Sequence, residues 1–344
     1  MQGSNSVKPV QIALLTFVTQ TGVGIITLPS ALAESAGHDG WISILITGAI
    51  AVILGILFLL LLRRYSKRAI YDINQLIFGK IIGTGLNILL VSYLLVATIG
   101  GASLFNYFIR INVLHETPPW ALAPFITLPS FYLVWQGLKN VTRFLYWTLI
   151  SYFFVLVFIF LLFNELRVSF LMPLGEAGVI RILYSTRTSF FAFIGFELIV
   201  FFYPYISHRD KLAKWYIFAN LSSIMFFVAI VAVSTAVFGK NFLSVLSMPF
   251  FNLSRIYNAP ILERVDLYFI ALWFIPIACS MRSYLFAAFD GLQKVFKLKK
   301  RKLYYAIFFA AILILSSIPK DINQVFKLIE VINMAGIGVS FFLI

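Results

Sequence analysis

The sequence predicts an all-α integral membrane protein in which about ten transmembrane helices form a five-plus-five inverted repeat within one domain, residues 1–344. Composition indicates the fold class, because 61% of the residues are hydrophobic and 12% are charged, against about 25% charged in soluble domains. Apolar runs near the roughly 20 residues that cross a bilayer indicate the spans. Interruptions at corresponding places in the first and sixth runs indicate discontinuous helices around a midplane site.

The first repeat, at about residues 10–164, contains spans one to five. Span one is interrupted between Thr21 and Pro29 by a sequence that includes Gly22 and Gly24. The polar stretch after span two has apolar residues at helical spacing up to Ile77, which predicts an interfacial amphipathic helix. The predicted spans are Val10–Ala33, Trp41–Leu62, Ile82–Ile109, Trp120–Trp135 and Phe144–Phe163.

The second repeat, at about residues 185–344, follows a polar segment, Asn164–Tyr184, and contains spans six to ten. A long loop, Gly239–Arg264, is predicted between spans seven and eight. The break near Ile194 follows the break near Val23 at about the same interval that separates span seven from span two. An odd number of helices per repeat gives the two repeats opposite orientations in the membrane. The predicted spans are Thr188–Tyr205, Trp215–Phe238, Val265–Phe289, Tyr304–Ile318 and Val325–Ile344.

The loops on the side of the N-terminus contain most of the Lys and Arg residues, so the N-terminus is predicted to be cytoplasmic. The net charge of +14 therefore reflects membrane topology and does not indicate nucleic-acid binding. The polar start, Met1–Pro9, lacks the pattern of a cleaved signal peptide. Cys279 is the single cysteine, which excludes an internal disulfide, and the three histidines are too far apart in sequence to suggest a shared metal site.

The first break supplies a candidate anion site, consisting of Thr21, Gly22, Val23 and Gly24. If the helix unwinds there, free N–H groups and the positive end of the following half-helix face the midplane. We expect such a site to bind the carboxylate of a ligand. The alternative interpretation is that the glycines allow neighbouring helices to pack closely.

The second break combines a glycine with an intramembrane carboxylate. Gly195 allows the backbone to leave helical geometry, so the carbonyl groups of Phe193 and Ile194 become free to accept from a ligand ammonium. Glu197 lies in the middle of an apolar run, where a carboxylate is by default a functional hypothesis. Three roles are open for it: a partner for the ammonium, a protonatable gate, and a structural carboxylate bonded to a neighbouring helix.

Arg282 is the other charge within a span, and three roles are open for it as well. It pairs with Glu197, it pairs with Glu330 of span ten, or its side chain extends to the cytoplasmic edge. The sequence contains no nucleophile elbow, no phosphate-binding glycine loop and no cluster of metal ligands. It therefore predicts no enzyme, no cofactor and no metal site.

The motifs at the breaks and in the loops resemble those of the B subunits of bacterial spore germinant receptors, within the amino acid–polyamine–organocation transporter superfamily. The glycine break and Gly195–Glu197 are shared with the whole superfamily, whereas the loop motifs favour the germination branch. The residues that carry the resemblance are Gly22–Pro29, Gly40–Ile42, Gly137, Leu138, Arg143, Pro173–Glu176, Gly195–Glu197, Glu263, Arg264, Pro319–Asp321 and Asn323–Val325.

The resemblance implies a midplane pocket between spans one, three, six and eight that binds a small germinant such as an amino acid. It also implies assembly with an A and a C subunit in the spore inner membrane. Three functions are open at this point: a receptor subunit whose ligand shifts a conformational equilibrium read by its partners, a permease that works by alternating access, and a scaffold with a vestigial pocket.

Overall fold

The computed structural model describes residues 6–66, 68–256, 265–298 and 301–343. Several residues named above lie outside this part of the chain: Met1, Glu263, Arg264 and Ile344. The described residues are almost entirely helical, and a lone β-bridge joins Val7 and Ile206. The helices are α1 (Pro9–Gly24), α2 (Leu28–Ala36), α3 (Gly40–Arg64), α4 (Ile70–Asn112), α5 (Pro119–Gln136), α6 (Leu138–Phe144), α7 (Thr148–Leu161), α8 (Gly178–Phe193), α9 (Leu198–Phe202), α10 (Leu212–Val245), α11 (Pro249–Leu253), α12 (Val265–Phe296), α13 (Arg301–Ser316) and α14 (Ile322–Phe342).

In the described part of the chain, seven helical stretches are long and apolar enough to cross a membrane. They correspond to predicted spans two, three, five, six, seven, eight and ten. The shorter helices α1, α5 and α13, of 16, 18 and 16 residues, correspond to spans one, four and nine. The prediction of an all-α membrane protein is confirmed, with the first and sixth spans interrupted.

Three helix boundaries differ from the predicted ones. Helix α8 begins at Gly178, well before Thr188, so the end of the segment predicted as polar is helical, with Arg181 and Arg187 exposed and Ser185 buried. Gly239 has φ 69°, so the chain turns there, and α10 then continues to Val245 inside the predicted loop. Gly79 has φ 76° and separates the predicted amphipathic helix from span three within α4.

Helix α1 lies at the centre of the bundle, between α10 and α12, and also contacts α8. Helix α12 packs along α4. Around the second break, Phe193, Phe196 and Phe202 are completely buried, which anchors both half-helices in the core. Both interrupted helices are therefore surrounded by protein, the condition under which a helix can be broken within a membrane.

Candidate functional site

The first break is a turn at Ile25–Thr27 between α1 and α2. Pro29 explains this position, because in a continuous helix its missing N–H would be needed to bond the Ile25 carbonyl. The break thus begins just after Gly24 and not around Val23 as predicted. The N–H groups of the four predicted residues, Thr21, Gly22, Val23 and Gly24, lie inside α1, and those left without helical partners belong to the first turn of α2.

Gly22 and Gly24 bring α1 into close contact with its neighbours. A Cβ atom on Gly22 would lie 2.2 Å from the Ser280 hydroxyl oxygen and 2.7 Å from the carbonyl oxygen of Pro276, both on α12. A Cβ atom on Gly24 would lie 2.8 Å from Cα of Ala192 on α8. Close helix packing therefore accounts for both glycines.

The second break separates α8 from α9 and lies at the predicted place. Gly195 has φ +119°, a conformation that side chains other than that of glycine rarely adopt. A Cβ atom there would also lie 2.8 Å from Cγ2 of Thr19 on α1. Because Gly195 contacts α1 here and Gly24 contacts α8, the two interrupted helices face each other along their broken segments.

The Glu197 carboxylate, which is completely buried, holds the second break in place. Tyr93 of α4 and Tyr284 of α12 donate to its Oε1 over 2.8 and 3.1 Å. The Gly195 N–H donates to its Oε2 over 2.7 Å. Both oxygens are thus occupied by protein donors. Of the three roles that the sequence leaves open, these contacts match the structural carboxylate.

The two other candidate charges lie apart from Glu197. Arg282 is buried, donates to Ser130 and to the sulfur of Cys279, and has its guanidinium 4.3 Å from the ring centroid of Phe144. Glu330 is exposed on α14. Neither Glu197 nor Glu330 forms an ion pair with Arg282 in the described part of the chain, so Arg282 is held by polar and aromatic neighbours in this conformation.

An inner pocket of about 40 Å³ lies where the two breaks meet. Spans one, three, six and eight all contribute to it, as the resemblance implies, and α14 completes the wall. Among the predicted site residues, Val23, Gly24 and Ile194 line the pocket. The other lining residues are Thr19, Gln20, Ala97, Gly100, Gly101, Phe191, Ser280, Met281, Tyr284, Ile329 and Ile332.

A larger cavity of about 640 Å³ lies beside the inner pocket, between α2, α8, α14 and the segment 244–247. It reaches the protein surface at the exposed side chains of Glu34 and Glu330. Phe191 and Ile329 line both cavities. These two side chains therefore form the partition between the surface-connected cavity and the inner pocket.

The opposite side of the bundle is closed by the N-terminal segment. Val7 donates its N–H to the Tyr205 carbonyl and accepts from the Ser207 N–H, both over 3.0 Å. The Tyr205 hydroxyl donates to Asp290 over 2.5 Å, and Lys294 bonds the same carboxylate over 2.7 Å. The pocket is thus reached from one side of the bundle and sealed on the other.

Sequence reasoning missed three polar residues of the site, Gln20, Tyr93 and Tyr284. Gln20 lines the pocket and donates to the Phe193 carbonyl over 3.3 Å and to Asn220 over 2.9 Å. The signal in the sequence was an amide side chain two residues before the first glycine of an apolar run. The two tyrosines gave no comparable signal, because tyrosine is frequent throughout this chain.

The comparison with known proteins agrees with this geometry. A family model described as "Spore germination protein" matches residues 6–325. Spore germination protein B2 of Bacillus subtilis (strain 168) is 26% identical over 326 residues, which cover 92% of this chain and 87% of the relative. Spore germination protein GerQB of Bacillus cereus is 24% identical over 307 residues, covering 86% of this chain and 82% of the relative.

Solved transporter structures share the fold. A Na⁺-coupled sialic acid symporter in a substrate-bound outward-open state superposes with a TM-score of 0.67 at 15% identity, covering 98% of this chain and 78% of the symporter. MhsT in complex with L-phenylalanine gives a TM-score of 0.62 at 14% identity, with coverage of 98% and 89%. The family match over nearly the whole length, on a multi-pass transporter fold, shows that this chain belongs to the spore germination protein family of permease-like membrane proteins.

Proposed function

We propose that this chain is the ligand-binding membrane subunit of a spore germinant receptor. A small amino-acid-like germinant occupies the inner pocket, and its binding shifts a conformational equilibrium that is read by partner A and C subunits. The protein is a non-catalytic single domain of two repeats, at about residues 10–164 and 185–344, with a cytoplasmic N-terminus, in the spore inner membrane. The meeting of two interrupted helices at a surface-connected pocket is the observation that carries this proposal.

The broken backbone offers complementary partners for a zwitterion. Ile194 lines the pocket and its carbonyl accepts no hydrogen bond from the described residues, so we assign this carbonyl to the ligand ammonium. The carboxylate points towards the larger cavity, where Leu28 and Ser30 begin α2 with N–H groups that have no helical partner. Val23 and Gly24 form the wall between these two ends, while Glu197 fixes the shape of the break from behind.

The size of the inner pocket couples occupancy to conformation. One water needs at least about 10–15 Å³ of cavity volume, so a pocket of about 40 Å³ accommodates few waters and is too small for an amino acid. Phe191 and Ile329, which separate the two cavities, must therefore move when the ligand enters. A ligand that binds only the rearranged state shifts the equilibrium towards that state.

Filling the pocket tests the proposal. Gly101 lines the pocket, and a Cβ atom there would make ordinary contacts at 3.6 Å with Met281, so Gly101→Leu fills the pocket while Gly101→Ala is tolerated. Gly85→Leu is the matched control, because Gly85 lies on the same helix with open space around it. We expect Gly101→Leu alone to abolish both the germination response and stabilisation of the purified protein by amino acids. An unchanged response in Gly101→Leu would refute the pocket assignment.

A permease is the second candidate, because the solved structures that share this fold are transporters. Alternating access requires the closed side to open, whereas a receptor can respond with that side shut. Val7 and Ile206 form a bridge on the closed side, so a cysteine pair, Val7→Cys with Ile206→Cys, would lock it. Loss of labelled amino-acid uptake into vesicles on oxidation would favour the permease. A germination response that survives oxidation, with no uptake in either redox state, would favour the receptor.

A further inference from the structure

One residue that lines the inner pocket, Gln20, has a buried side-chain acceptor that is left unpaired. Gln20 is 1% exposed, and its Oε1 has no hydrogen-bond partner among the described residues. We propose that Gln20 Oε1 accepts from the ammonium group of the ligand and that Gln20 is the residue by which the pocket distinguishes amino acids from acids without an amine. This inference rests on the proposed function and specifies which ligand group the pocket recognises.

The orientation of the Gln20 amide follows from its neighbours. Its Nε2 lies 3.3 Å from the Phe193 carbonyl oxygen, which can only accept, and 2.9 Å from Asn220 Oδ1. Turning the amide over would place Oε1 against the Phe193 carbonyl, two acceptors facing each other. Both hydrogens of Nε2 are therefore used in bonds to Phe193 and Asn220, and Oε1 is the atom left without a partner among the described residues.

The hydroxyl groups of the pocket wall have already donated their hydrogens. Thr19 donates to the Leu15 carbonyl over 2.7 Å, and Ser280 donates to the Val18 carbonyl over 2.9 Å. Tyr284 donates to Glu197. The side chains of the wall thus present acceptors to the pocket and no free donor. Such a wall favours a ligand group that donates, which assigns the ammonium and not the carboxylate to this end of the pocket.

Among the described residues, no side chain that lines the inner pocket carries a charge. Glu197, the nearby carboxylate, is occupied by the two tyrosines and the Gly195 N–H. An ammonium that enters this pocket therefore depends on neutral oxygens as hydrogen-bond acceptors. Gln20 Oε1 is one such oxygen: it is buried and accepts no hydrogen bond from the described residues. A buried acceptor without a hydrogen bond is unfavourable. A ligand group that donates to Gln20 Oε1 therefore gains binding free energy that a ligand without a donor does not.

Gln20 also connects the ligand to the second break. The side-chain amide of Gln20 donates to the Phe193 carbonyl at the end of α8 and to Asn220 of α10. A positive donor at Oε1 polarises the amide and strengthens both of its N–H bonds. Ligand binding at this atom therefore favours one arrangement of α8 relative to α1 and α10.

Paired ligands provide the test. Purified wild-type protein is first screened against the common amino acids by thermal unfolding, and the most stabilising one is then compared with the carboxylic acid that lacks its amine. We expect the wild type to prefer the amino acid by about tenfold or more in Kd, as one charged hydrogen bond implies. Gln20→Met, which keeps the side-chain length, is expected to lose about tenfold or more of this preference.

Asn220→Ala is the matched control, because it removes a partner of the Gln20 N–H but leaves Oε1 in place. We expect it to lower the unfolding temperature while the preference for the amine persists. A preference that survives in Gln20→Met would overturn the inference and leave Oε1 as a site for water. Stabilisation by sodium chloride over potassium chloride that is lost in Gln20→Met would also overturn it, because the oxygen would then bind a cation.

The two proposals fail in different ways. If Gly101→Leu abolishes amino-acid binding while Gln20→Met retains the full preference for the amine, the pocket stands and the role of Gln20 falls. If Gly101→Leu binds amino acids as the wild type does, the ligand lies elsewhere and both proposals fall.

Discussion

Replacing Glu197 with glutamine preserves the shape of the side chain and removes one acceptor from the second break. In one orientation the new amide oxygen accepts from Tyr93 and Tyr284, and the NH₂ group is forced against the Gly195 N–H. In the other orientation the Gly195 N–H is satisfied and both tyrosine hydroxyls lose their acceptor. Either way, at least one buried donor is left without a partner.

The expected loss of stability follows from that donor. A buried donor without an acceptor costs about 1–3 kcal/mol, so we expect Glu197→Gln to lower the free energy of unfolding by about this amount. The ligand response should be lost as well, because the Gly195 contact sets the backbone of Ile194 in the pocket wall. Glu330→Gln is the control for stability, since Glu330 is exposed and its replacement should change stability by less than about 0.5 kcal/mol.

A thiol-reactive fluorophore measures the unfolding. Cys279 is the single cysteine of the chain and is 1% exposed on α12, so it becomes reactive only when the core opens. Thermal ramps of the purified wild type, Glu197→Gln and Glu330→Gln in one detergent give the comparison. Identical transitions for Glu197→Gln and Glu330→Gln would refute the reasoning that the carboxylate maintains the break.

Three further changes test the packing and the loops. Gly22→Ala should lower stability by about 1–3 kcal/mol through overpacking, whereas Gly85→Ala, in open space, should raise it by up to about 1 kcal/mol; thermal unfolding measures both. Asp39→Ala, which removes the acceptor of the Gly175 and Ala177 N–H groups, should make the loop at 173–178 sensitive to protease. The hydrogen bond and charge of Lys240 hold the pKa of Glu176 below its usual value. This pair therefore stabilises the fold above about pH 4.3 and loses its effect as the pH falls through the lowered pKa, so Lys240→Met should weaken this acid sensitivity in unfolding measured against pH.

Each of these expectations has a clear contrary result. Equal stability of Gly22→Ala and Gly85→Ala would mean that α1 and α12 are not in close contact at this point. A loop that resists protease in Asp39→Ala would mean that other contacts hold it. An acid-unfolding profile that is the same with and without the Lys240 amine would remove the ion pair from the stability of this side of the protein.

Composition and spacing were sufficient to predict the membrane fold and both breaks, but they centred the first break on Val23, whereas it lies towards the C-terminal end of the predicted Thr21–Pro29 segment. The presence of Gly22 and Gly24 suggested a break at their own positions. A glycine inside an α-helix, however, lowers the stability of the helix by only about 1 kcal/mol relative to alanine. The break occurs where Pro29 removes a helical donor. Whether a glycine interrupts a helix or allows the helix to pack closely against another depends on its neighbours. Here these neighbours are Ser280 and Ala192, which are distant in sequence.

The contacts of the site could not be predicted from the sequence for the same reason. Glu197 was identified from its depth in an apolar run, but its donors lie on two other helices, and no local pattern in the sequence pairs Tyr93 or Tyr284 with it. Two of the three roles open for Arg282 paired it with a carboxylate, but Arg282 lies among Ser130, Cys279 and Phe144. Interhelical partners of this kind are determined by packing, so they become visible only in three dimensions.

The second break is the point at which a ligand signal can spread through the bundle. Four helices bond to it: α1 through Gln20, α4 through Tyr93, α12 through Tyr284, and α10 through Tyr216, whose hydroxyl donates to the Phe196 carbonyl over 2.9 Å. Because these bonds converge on a few residues, a shift of α8 that admits a ligand must rearrange several of them together. A packed element with shared bonds changes between discrete arrangements, which is the physical requirement for coupling a pocket to a distant partner surface.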